Sequence, residues 1–161
     1  MWKTICKIKK PFPEKGRDKV KNSDYNYLHK LPKIINRNHL FCAPYGEQTS
    51  FNGNGTLDTS EKFRVVQNRK GHRRNNNLTY ILFYKQNNIM IRIDINGQRH
   101  EGVETPHVHI FDEEHSNGLE VIPLSKLPDY TPTDDIVQSL YEFLKYNNFD
   151  TKGLSISPST A

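Results

Sequence analysis

The tightest constraint on how this chain folds lies at residues 89–95, where Ile89, Ile91, Ile93 and Ile95 alternate with Met90, Arg92 and Asp94. Alternation with a period of two predicts a strand with one apolar face and one mixed face. Asn96-Gly97 follows, a dipeptide suited to the two positive-φ positions of a type I′ turn. The expected hairpin pairs Ile95 with Gln98, Asp94 with Arg99 and Ile93 with His100. A second strand is expected at residues 107–111, with His107, His109 and Phe111 on one face and Val108 and Ile110 on the other.

Other elements arrange themselves around this strand. Residues 78–85, LTYILFYK, read as a buried strand that Gln86-Asn87-Asn88 turns into its antiparallel neighbour. Phe63, Val65 and Val66 mark another strand. Residues 119–124 form a last short one, confined to a sheet edge by Pro123. Residues 2–8 alternate briefly and suggest an edge strand that ends at Pro11 and Pro13. Residues 14–22 read as a charged loop or poor helix, and Tyr25, Tyr27, Leu28 and Leu31 as a packed turn before Pro32. Residues 42–46, CAPYG, are turn-like, and the two Asn-Gly dipeptides at 52–55 suggest another turn. One helix is expected near residues 134–146, because Ile136, Val137, Leu140, Phe143 and Leu144 recur at intervals of three and four. Thr131-Pro132 or Thr133-Asp134 would cap it, and Asn147-Asn148 would end it. The fold class is therefore α+β: an antiparallel meander of four to six strands packed by a C-terminal α-helix. Residues 1–40 form a basic irregular extension, 41–149 the core domain and 150–161 a flexible tail.

A chain of 161 residues suits one domain. With 34% hydrophobic residues and a mean hydropathy of −0.80, its core is small, but 8 Tyr, 8 Phe and 1 Trp supply enough aromatic mass to support it. The formal net charge of +5 favours an anionic partner such as RNA or another nucleic acid. Cys6 and Cys42 form no zinc or redox motif and read as free thiols of a reducing cytoplasm. No apolar run approaches the ~18 residues of a membrane span, and the N-terminus lacks a signal-peptide pattern. The expectation is a cytoplasmic protein with no membrane partner. The absence of a Gly-rich phosphate loop and of G-x-S-x-G argues against kinases, dinucleotide enzymes and serine hydrolases.

Two constellations carry chemistry. His107-x-His109 on a strand puts two imidazoles on one face, where they can share a metal ion, or act on one phosphate as acid and base. Solvated sheet faces also carry such pairs without chemistry. His100 lies close in sequence, and Asp112, Glu113 and His115 are further residues able to complete a metal shell. The second constellation is Arg69-Lys70-Gly71-His72-Arg73-Arg74, either a phosphate-binding patch or a solvated loop. Tyr25, Tyr27, Tyr45 and Tyr130 either stack on bases or pack loops.

These residues suggest an RNA-acting protein of a mobile element, a toxin-like endoribonuclease needing no metal or other cofactor. His107 and His109 would be its acid/base pair and His100 their orienter. Arg92, with Arg73 and Arg74, would steady the charged phosphate. Arg69, Lys70, His72, Arg73 and Arg74 would bind the nucleic acid. Its protein partner would be a cognate antitoxin. Two alternatives stand beside this reading. One is a non-catalytic phage or mobile-element inhibitor that binds a host nuclease or defence complex. The other is a small metal-binding β protein.

Residues 44–149 also resemble an uncharacterised family of small bacterial proteins known as domain of unknown function 6978. The resemblance rests on Pro44-Tyr45-Gly46-Glu47, on Arg92-Ile93-Asp94-Ile95-Asn96-Gly97 with His100, on Pro106-His107-Val108-His109-Ile110-Phe111, and on Pro123-Leu124. The family pattern looks like R-L-D-x-N-G-x-x-H followed by P-H-x-H-x-Y and a closing helix. This chain departs from it in a shortened loop at residues 101–104 and in Phe111, where tyrosine is usual. The resemblance implies a shared domain and draws attention to His100, His107 and His109, but it brings no activity. A looser likeness links the spaced histidines to small toxins of toxin–antitoxin pairs.

Overall fold

The computed structural model describes residues 22–71 and 76–159. The edge strand expected at residues 2–8, the charged segment before Asn22, Cys6, and His72, Arg73 and Arg74 lie outside them. In chain order the elements are α1 (Asn22–Lys30), β1 (Lys33–Ile35), β2 (His39–Phe41), β3 (Gln48–Gly55), β4 (Lys62–Asn68), β5 (Leu78–Tyr84), β6 (Asn88–Asn96), β7 (His107–Ile110), β8 (Val121–Pro123), α2 (Ile136–Tyr146), β9 (Phe149–Asp150) and β10 (Ser155–Ser157).

The fold is α+β, with a mostly antiparallel sheet and a C-terminal helix, but the sheet has eight strands rather than four to six. Strands β3 to β8 form the meander, each antiparallel to the next. β1 adds antiparallel to β3, and β9 adds parallel to β1. These two additions are too short to leave an alternation signal in the sequence. The pattern in β1 is in fact inverted, since Lys33 is buried and Ile34 exposed. The Lys33 Nζ donates to the carbonyls of His29 (2.9 Å), Leu31 (3.0 Å) and Asn147 (2.7 Å), at the C-terminal ends of α1 and α2. Unpaired carbonyls collect at helix C-termini, so a buried N–H donor there serves both helices at once.

Helix α2 covers one face of the sheet. Leu140, Phe143 and Leu144 are fully buried, and Phe143 stacks on Tyr80 of β5 with ring centroids 5.2 Å apart. The Tyr80 hydroxyl shares a hydrogen bond with Ser139, and Gln67 of β4 donates to that hydroxyl. The helix is capped by Asp135, whose carboxylate accepts from the Val137 and Gln138 amides, rather than by either expected threonine pair.

Two further expectations are corrected. The Asn-Gly dipeptides at 52–55 do not turn but lie inside β3. Their glycines serve close approach: a Cβ on Gly53 would sit 2.5 Å from the Ile34 carbonyl oxygen, and one on Gly55 2.5 Å from that of Asp58. Residues 150–161 are not a frayed tail as far as residue 157, because β10 pairs in parallel with β2 and the Tyr141 hydroxyl donates to the Leu154 carbonyl. No helix among the described residues is long and apolar enough to cross a membrane.

Candidate metal centre

The expected hairpin at Asn96-Gly97 does not form. Asp94 pairs with His107, Ile93 with Val108 and Arg92 with His109. The tight turn lies further on, at Glu101 (φ 49°) and Gly102 (φ 77°), where His100 and Val103 exchange both backbone hydrogen bonds. A glycine in the second positive-φ position makes that turn accessible. It folds His100 back over the sheet, beside the two imidazoles of β7.

Residues directly opposite in an antiparallel pair project to the same face. Thr79, Asp94 and His107 form one such row across β5, β6 and β7, and Arg92 and His109 lie in the next. This face is the one turned away from α2. The ring centroids of His100, His107 and His109 lie 5.0–5.3 Å apart. His107 Nε2 is 3.1 Å from Asp94 Oδ2, His109 Nε2 is 3.7 Å from the same oxygen, and His100 Nδ1 is 3.2 Å from His109 Nε2. One donor atom from each of the four residues falls within 4.8 Å of all the others.

The surroundings orient these donors. His107 Nδ1 faces the carbonyls of Val103 (3.2 Å) and Glu104 (3.3 Å), and His109 Nδ1 faces that of Gly118 (2.9 Å). Carbonyls only accept, so each Nδ1 carries a proton and donates it; His107 then donates from Nε2 to Asp94 as well, and both Nε2 atoms point toward Asp94, where an ion could replace that proton. Backbone carbonyls of this kind fix the tautomer of metal-ligating histidines. Asp94 is itself held: Thr79 Oγ1 donates to Oδ1, and Arg92 donates from Nε to both oxygens (3.1 and 3.0 Å) and from Nη2 to Oδ1 (3.0 Å).

Burial works against ionisation of Asp94, but the His107, Arg92 and Thr79 contacts outweigh it and hold the carboxyl well below the usual carboxylate range. Burial also disfavours the charged form of His107, yet its bond to Asp94 prevails and raises it. For His100 and His109, burial is decisive and lowers both. Without a metal ion, the site therefore holds one imidazole toward the protonated form and two toward the neutral form.

The structure brings together His100, His107, His109 and Arg92 of the expected site. It also adds Asp94, which the misplaced hairpin had assigned to Arg99. Arg99 instead reaches Glu104 at 3.7 Å on the surface. The signal for Asp94 was its parity with Arg92 on the mixed strand face. His107 has no exposed surface, so it is not placed to touch a substrate directly. The side chain of Arg92 keeps 35% exposure. His115 and Asp112 pair with each other at 2.6 Å (Nδ1 to Oδ1) and, like Glu113, lie outside the cluster.

Arg69 and Lys70 follow β4, whose last residue, Asn68, pairs with Thr79, the partner of Asp94. That segment therefore lies at the same end of the sheet as the histidines, two strand spacings or about 10 Å from Asp94. Lys70 is exposed, whereas Arg69 donates from Nη1 to the Ala43 carbonyl (2.9 Å) and lies 3.7 Å above the Tyr45 ring. Tyr25 and Tyr130 are buried and pack the core, while Tyr27 and Tyr45 are exposed.

The chain belongs to the family of unknown function DUF6978, whose model matches residues 20–149. No curated protein and no solved structure matches it.

Proposed function

We propose that this DUF6978 member is a metal-dependent protein that acts on RNA, with the ion held by His100 Nδ1, His107 Nε2, His109 Nε2 and a carboxylate oxygen of Asp94. The convergence of these four donors, with both Nε2 atoms freed by carbonyls behind the rings, carries the reading. Three imidazoles and a carboxylate suit Zn2+, Fe2+, Mn2+ or Ni2+. A bound ion of this class supplies a Lewis acid and a water molecule of lowered pKa. Arg92, buried at its Asp94 end and half-open at the surface, would steady the carboxylate and face an anionic phosphate.

The Asp94–His107 pair also favours a metal-free reading, in which a protonated His107 and neutral His109 act as acid and base on RNA. The complete burial of His107 supports the metal reading over this one. Cleavage of labelled RNA by the purified protein separates them. Activity that EDTA removes and a divalent transition metal restores fits the metal centre. Activity indifferent to EDTA and lost in a His107→Ala/His109→Ala variant fits histidine catalysis. A protein that takes up metal yet cleaves none of several RNAs would fit a binding role, such as the inhibitor of a host nuclease.

A further inference from the structure

The CAPYG turn and the end of β4 build a second feature at the same end of the sheet. Tyr45 is 70% exposed, and the Arg69 guanidinium lies 3.7 Å above its ring. Both partners are fixed. Arg69 Nη1 donates to the Ala43 carbonyl, the Arg69 amide donates to the Glu47 carbonyl (2.8 Å), and the Arg69 carbonyl accepts from Gly46 (3.2 Å). The Ala43 amide in turn donates to the Gln67 side chain (2.7 Å) inside the core. A large aromatic ring is thus held out in water on a rigid support, with the Arg69 cation behind it and exposed Lys70 next to Arg69 in the chain.

From this arrangement we infer that Tyr45, Arg69 and Lys70 form a stacking platform for single-stranded nucleic acid; the inference rests on the function proposed above. Every base offers a π-face to an exposed ring, so stacking holds a strand irrespective of sequence, and neighbouring cations hold its phosphates. In a duplex the bases are already stacked on each other, so the platform selects unpaired ones. The cation on one side leaves the other face of Tyr45 for a base.

The test uses the full chain stripped of metal, so that it reads the platform independently of the centre. Binding of fluorescein-labelled 12-mers of single-stranded RNA, single-stranded DNA and duplex is followed by anisotropy at 50 and 200 mM salt. The expected result is tighter binding of single strands than of duplex, weakened by salt. Tyr45→Ala should lose about tenfold or more in affinity, while Tyr45→Phe, which keeps the ring, retains it. Lys70→Ala should weaken binding and lower the salt slope by about one. Unchanged melting temperatures would establish that the variants fold. The inference is overturned if wild type binds no oligonucleotide, if Tyr45→Ala binds like wild type, or if polyglutamate competes as well as RNA, which would mark an acidic protein as the partner. Any of these results leaves the metal centre standing, and a failure of metal uptake leaves this binding unchanged.

Discussion

Asp94 and His107 stand directly opposite each other on β6 and β7, with Oδ2 3.1 Å from Nε2 and both side chains buried. The cross-strand register therefore sets the geometry of the centre. A slip of one residue would send one of the two to the opposite face.

Asp94→Asn keeps the shape of the side chain and removes its charge. Metal affinity is expected to fall by more than the roughly 10–100-fold typical of losing a partner that merely supports a ligand. In the metal-free variant, His107 loses the group that holds it toward the protonated form, so its NMR titration should move to lower pH. Asp94→Ala should also destabilise the fold by about 1–3 kcal/mol in urea unfolding, because Thr79 and buried His107 would lose their acceptor, while the partly exposed Arg92 stays solvated.

Gly118 supplies the carbonyl behind His109 while adopting φ 85°. A Cβ there would come within 2.5–2.7 Å of the Phe111 ring. Gly118→Ala is expected to cost about 1–3 kcal/mol in thermal unfolding and to weaken metal binding at the same time, because the displaced carbonyl no longer orients the imidazole. A Gly102→Ala change meets no atom within 4 Å but shares the positive φ. It tests strain at the turn that delivers His100 without a steric clash.

Lys33 provides a pH signature away from the centre. Burial pushes its ammonium down to about 7, against about 10.4 in an unfolded chain. Between these values the unfolded state binds more protons, so the contribution of this residue to stability rises with pH across that window. Melting temperatures recorded from pH 7 to 9 should show this rise in wild type and a flatter profile in Lys33→Met. The interval stays below the ionisation of the tyrosines, whose burial shifts Tyr25, Tyr80 and Tyr130 upward.

Protons compete with metal for imidazole. Uptake of Zn2+ should therefore weaken as pH falls below about 6.5, the ordinary value for histidine, with proton release detectable on binding in weakly buffered solution. Affinity that is flat from pH 7.5 to 5.5 would place the ion on ligands other than these histidines.

The sequence made the central strands legible where burial on one face enforced alternation. The β5–β6 hairpin and the apolar stripe of α2 follow from their residues directly. The histidine pair was also visible, because the two positions share strand parity. Its completion by Asp94 was not, since Asn96-Gly97 is a strong local turn signal that the sheet overrides and Glu101-Gly102 takes its place. Lys33 and Ile34 escaped for the opposite reason: the carbonyls at two helix termini demand a donor inside, against the hydropathy pattern. The short strands β9 and β10 gain their order from partners far away in the chain, which no local window contains.

Titration of the metal-free protein with Co2+, read by its visible absorption, decides whether Asp94 and the three histidines hold an ion. Saturation is expected at one equivalent, with the intense d–d bands of a four-coordinate nitrogen and oxygen site, and loss of those bands in His107→Ala/His109→Ala. A spectrum that stays that of the hydrated ion through several equivalents, in a wild-type protein shown to be folded, would contradict it.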